Sequence, residues 1–189
     1  MSTKHSKAAA RFIGNRKQEA WHDETLWMVR VKRDKMSHSL PEWERLRELA
    51  CEIKLYSNSH LDVLLEEFEK NATANGAIVH WAKDAAEHNA IVEEILQQHK
   101  AHTLIKSKSM LTEECGMNDY LFGKGYDIIE SDLGERILQW MKLHPSHIVM
   151  PAIHIKRQEV GEMMERVLGT EKGNSDPTYL THAVRKNMR

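Results

Sequence analysis

Thr103-Leu-Ile-Lys-Ser-Lys-Ser-Met-Leu-Thr-Glu-Glu114 is the stretch whose reading decides the fold. A short apolar run, too brief for a helix, gives way to two lysines and two serines and then to helix-starting residues. This order predicts a strand, a loop and a helix N-terminus. In open α/β sheets, ligands collect in the crevice outside the carboxyl ends of the strands. There Lys106 and Lys108 would supply positive charge, Ser107 and Ser109 hydroxyls, and the helix start backbone N–H groups for a carboxylate or phosphate. The plainer alternative leaves both lysines solvated and has Ser109 or Thr112 cap the helix.

The same alternation extends to either side. Ala77–Trp81 is a short apolar run, and Asp84 with Glu87 opens a helix carrying Ile91, Val92, Ile95 and Leu96. Thr103–Ile105 precedes a helix near 112–123, Tyr126–Ile129 one near 133–142, and His147–Met150 one near 156–168. Strands alternating with helices of this length predict right-handed crossovers and a mostly parallel sheet. The expected fold is thus α/β over residues 77–189, about four strands with helices on both faces.

The turns after these strands hold the polar chemistry. In Glu130-Ser-Asp-Leu-Gly-Glu135, Asp132 and Glu135 have capping-box spacing, which leaves Glu130 and Ser131 as secondary site candidates. Met150-Pro-Ala-Ile-His154 steers the chain past the fourth strand and presents His154, a candidate for binding an anion or moving a proton. Beyond the loop from Thr170, Asp176-Pro177 starts a last helix with Leu180, Ala183, Val184 and Met188 on one side.

Residues 1–76 are expected to be helical: an arm over 6–35 with Gly14 as its one break, then a pair of helices. Ser39 to Glu42 and Ser59 to Asp62 have the spacing of helix caps. Trp43, Leu46, Ala50 and Ile53 share one face, as do Leu61, Leu64, Leu65, Phe68 and Ala72, before Gly76 ends the second helix.

The chain has 189 residues, 41% of them hydrophobic, enough for one domain with a core and an appendage. Its net charge of -1 is unevenly spread. Residues 1–35 hold nine Lys or Arg against four Asp or Glu, and residues 36–155 eleven against nineteen. Basic ends on an acidic body favour contact with an acidic surface of this or a neighbouring chain over nucleic-acid binding. Two cysteines, Cys51 and Cys115, without a CxxC pair, argue against a disulfide scaffold or a local metal knuckle and fit a reducing compartment. No segment reaches the ~18 apolar residues of a membrane span, so a cytoplasmic location without membrane attachment is expected. GxGxxG, P-loop, HExxH, GxSxG and EF-hand patterns are absent, and no metal site is expected.

Three blocks in order, Lys106-Ser-Lys-Ser-Met110 with Thr112-Glu-Glu114, Glu130 to Glu135, and Pro145 to His154, resemble the amino-terminal part of the iron–sulfur members of the LUD family. The resemblance extends through the helices before the first strand. It implies the fold of glucosamine-6-phosphate deaminases, ribose-5-phosphate isomerases and CoA transferases. It also implies work with two sister proteins in oxidising L-lactate to pyruvate, the iron–sulfur subunit passing electrons onward. Family members continue past a segment like Val184-Arg-Lys186 into the rest of the LUD domain and then into cysteine motifs for [4Fe–4S] clusters. Two cysteines cannot supply four thiolates, so no cofactor is expected in this chain and no cluster ligand is carried over. A sheet short of its remaining strands exposes an edge, from which a homo-oligomer is expected. The functional expectation is a binding and assembly platform with a small anionic substrate. The alternatives are a stand-alone enzyme on a phosphorylated sugar or acyl-CoA, or a purely structural subunit.

Overall fold

The computed structural model describes residues 2–188, with side chains from Ser6 onward. Its elements are α1 (Ser2–Gly14), α2 (Arg16–His38), α3 (Trp43–Ser59), α4 (Leu61–Ala74), α5 (Ala85–Gln98), β1 (Thr103–Lys106), α6 (Met110–Glu114), α7 (Met117–Gly123), β2 (Asp127–Glu130), α8 (Leu133–Met141), α9 (Arg157–Leu168) and α10 (Pro177–Asn187). They form two compact units, one of residues up to His22 together with Ala82 onward, the other Asp23–Trp81.

The larger unit is built on a parallel pair, β1 beside β2, in which Lys106 stands opposite Glu130. Leu96 of α5, Met117 and Leu121 of α7, and Ile128 of β2 form one core; Ile137 of α8, Met163 and Met164 of α9, and Leu180 and Val184 of α10 form a second. Helix starts follow the sequence closely here. Asp84 accepts the Glu87 N–H at 2.9 Å, Asp132 that of Glu135 at 3.1 Å, and Asp176 that of Tyr179 at 2.8 Å. The helix expected over 112–123 is two, because Gly116 takes φ +61° between α6 and α7. At Gly161 a side chain would lie 2.7 Å from the Asn174 carbonyl, so glycine lets α9 and the loop before α10 meet.

Among the described residues the sheet has two strands, where four are expected. Residues 147–150 bend without strand pairing, and His147 Nδ1 accepts the N–H groups of Val149 and Met150 at 3.1 and 3.0 Å. Residues 77–81 lie in the smaller unit without strand pairing, and Ile78 there is 82% exposed. The outer edge of β2 is met by a side chain. Gln139 of α8 donates to the Ile128 carbonyl at 2.7 Å and accepts the Glu130 N–H at 3.4 Å, as a neighbouring strand would.

The smaller unit is helical. In the larger unit Asn15 separates α1 from α2, next to the expected break at Gly14, and α2 continues into the smaller unit. Ser39 and Ser59 do not cap the helices that follow them. Their hydroxyls donate backward, to the carbonyls of Met36 and Leu55, so each finishes the helix before it. Only His60 separates α3 from α4, and neither helix contains a buried residue.

Candidate functional site

β1 and β2 end side by side, and their last side chains pair. Lys106 Nζ lies 2.6 Å from Glu130 Oε1 and 3.6 Å from Glu113 Oε1. Asn118 of α7 donates to the same Glu130 oxygen at 2.8 Å. Lys106 is 10% exposed and Glu130 2%, so the ion pair is withdrawn from water. Burying charge is tolerable only when it is paired and hydrogen-bonded, and this cluster nearly meets that condition. Two acceptors in it, Glu130 Oε2 and Asn118 Oδ1, are buried without a hydrogen-bond partner among the described residues.

Beside the pair lies a cavity of about 540 Å³ bordered by Glu113, Asn118, Glu130, Glu135, Lys142 and His144, among others. The capping box expected of Asp132 and Glu135 is half made. Asp132 takes the Glu135 N–H, while the Glu135 side chain lines the cavity instead of reaching back. Burial, then the carboxylates of Glu113 and Glu130, push the Glu135 carboxyl above its ordinary value.

Lys108 belongs to a different hollow, of about 300 Å³, with Asp132, Gly134 and residues 149–153. Its ammonium donates to the Val149 carbonyl at 3.1 Å and lies 3.6 Å from Asp132 Oδ2. Ser109 caps α6, accepting the Thr112 N–H at 3.4 Å. Ser107 and Ser131 are exposed, and the Ser131 N–H extends the strand pairing to the Lys106 carbonyl at 2.8 Å. The two lysines therefore face different partners, whereas Lys106 and Glu130 are brought into contact.

His154 borders neither cavity. It is buried, 2.6 Å from Ser146 Oγ, with its ring 6.3 Å from that of His22. Burial, then the neighbouring His22, lower its affinity for a proton. Sequence reasoning missed Glu113, Asn118 and Gln139. Their role depends on the register that sets Lys106 against Glu130, and no spacing within their own short helices announces it.

Cys51 is exposed on α3 and Cys115 half-buried at the end of α6, and two thiols do not fit a four-thiolate cluster. Among the described residues no group of three or more His, Cys, Asp or Glu side chains is arranged to hold a metal, and no helix is long and apolar enough to cross a membrane.

Residues 65–189 match the LUD domain. The chain is 38% identical over 163 residues to lactate utilization protein B 1 of Bacillus mycoides (strain KBAB4), which covers 85% of this chain and 34% of that protein. It is likewise 38% identical over 159 residues to lactate utilization protein B of Bacillus thuringiensis (strain Al Hakam), 84% of this chain and 33% of that one. The chain thus spans about a third of the length of the curated relatives it matches. No solved structure matches it.

Proposed function

The chain belongs to the LUD-domain family, and on that premise we propose that it serves lactate utilisation as the amino-terminal portion of an iron–sulfur LUD protein. The observation that carries this is the similarity to lactate utilization protein B over 85% of the chain. In this reading residues 77–189 are part of an α/β domain of the glucosamine-6-phosphate deaminase and CoA-transferase type, and residues 1–76 are its helical arm. The whole protein works in the cytoplasm with sister subunits in the oxidation of L-lactate to pyruvate, and clusters outside these residues carry the electrons. This portion binds and assembles, and it also self-associates.

Anion binding, the role proposed for the strand ends, falls on Lys108 with Ser107 and Ser109. Lys106 is already matched by Glu130 and Glu113, so an arriving carboxylate would compete with two carboxylates held within the protein. Lys108 is partly exposed, and its distance of 3.6 Å from Asp132 is a looser ion pair that an anion can replace. Glu130 holds Lys106 in place, Ser131 joins the strand ends, and His154 stays apart from the anion.

Calorimetric titration of the purified chain with lactate, pyruvate and inorganic phosphate tests the proposal. Lys108→Ala is expected to weaken binding about tenfold, the value of one charge-assisted hydrogen bond. Equal affinities for the wild type and the variant would remove the site. Absence of binding by either would favour the purely structural reading, to which the tight closure of Lys106 on Glu130 lends support.

A further inference from the structure

The Asp23–Trp81 unit contains a single buried residue, Thr25, although it is rich in large apolar side chains. Along α3, Leu46, Leu49, Ile53 and Tyr56 recur at intervals of three and four, the seam spacing of a coiled coil. They are 45, 50, 57 and 61% exposed, and Leu61, Leu64 and Phe68 of α4 add apolar surface that is also exposed. A lone helical surface of this kind gains little from propensity and needs an apolar partner.

We propose that this seam is an interface between two copies of the chain, with α3 packed antiparallel against α3 of the second copy. The self-association proposed above rests on the same reading of the chain, and here it receives a surface. Charge selects this occupant. The last turns of α2 carry Arg30, Lys32, Arg33 and Lys35 against one acid, Asp34; α4 carries Asp62, Glu66, Glu67 and Glu69 against one base, Lys70. Since α2 precedes α3 and α4 follows it, antiparallel pairing sets the basic end of α2 of each copy toward the acidic α4 of the other. Parallel pairing would set like charges together. Among the described residues Lys32, Lys35, Glu66 and Glu67 make no ion pair, so their charge is available for this contact. α3 itself has Arg45, Arg47 and Lys54 against Glu44, Glu48 and Glu52, so it does not repel its own copy. The seven exposed apolar side chains of α3 and α4, at roughly 100 Å² each, offer on the order of 700 Å² per copy, within the range of a standard stable interface.

The test uses the whole chain, in light scattering coupled to gel filtration and in sedimentation equilibrium. The wild type is expected at twice the chain mass. Lys32→Glu with Lys35→Glu, and separately Glu66→Lys with Glu67→Lys, are each expected to weaken the dimer at least tenfold while leaving helical circular dichroism unchanged. An equimolar mixture of the two variants restores both contacts in a heterodimer, and all four changes in one chain restore the homodimer. Ile53→Glu is expected to leave a folded monomer. A monomeric wild type at about 100 μM overturns both the interface and self-association itself. A dimer that none of these substitutions weakens overturns this interface alone, as does a mixture that remains monomeric.

Discussion

Replacing Lys106 by Met is expected to destabilise the α/β unit severely while leaving its shape intact. The ammonium is the partner of Glu130 at 2.6 Å, and the carboxylate it would abandon is 2% exposed. Asn118 would be left as the side-chain donor to that carboxylate, with Glu113 close enough to repel it. Removing one member of a buried pair costs about 3–5 kcal/mol, because the remaining charge keeps its desolvation penalty and loses its compensation. That is a large part of the ~5–15 kcal/mol by which a domain of this size is stable. With a urea slope of about 2 kcal/mol per M, the unfolding midpoint should fall by about 2 M. Urea unfolding followed by tryptophan fluorescence and circular dichroism measures this directly. Pairing Lys106→Met with Glu130→Gln should recover more than half of the loss, since the stranded charge is then gone. A single variant that loses under about 1 kcal/mol would show that the pair is solvated and that the burial argument is wrong.

Two further expectations concern protons. The Glu135 carboxyl is held above its ordinary value, so in the interval just above that value the native chain binds more protons than the unfolded one; this group then adds stability as pH falls and withdraws it as pH rises. Glu135→Gln should accordingly raise stability at pH 7 and flatten the pH dependence of the urea midpoint, and a lower midpoint at pH 7 would contradict this. His154 has the opposite sign. Its pKa is lowered, so its contribution is complete above the ordinary imidazole value and is lost as pH falls through it; a ring resonance titrating at or above that value in NMR would refute the burial argument.

Much of the α/β unit is legible in the residues themselves. Asp84, Asp132 and Asp176 announce three helices, because a capping carboxylate acts over three positions of the same chain. The strands over 103–106 and 127–130 are legible as short apolar runs between breaks. His147 to Met150 reads the same way and still bends, since the deciding contact is an imidazole accepting two N–H groups, which an apolar count does not register. Ser39 and Ser59 have cap spacing but bond backward, a choice between two carbonyl or amide partners that spacing leaves open. At the site, Lys106 and Glu130 are visible singly as strand-end residues. Their union depends on a parallel register across twenty-odd residues, which no local spacing encodes.

Gln139 closes the border of β2 with a single side-chain amide. A strand added to a sheet is anchored along its whole length, whereas the amide standing in for one here is released by turning a few side-chain bonds. The border of the sheet is therefore closed by a latch and not by a wall. Any extended segment that arrived there, from elsewhere in a longer chain or from another molecule, would find two backbone groups already aligned to receive it once that latch swung aside.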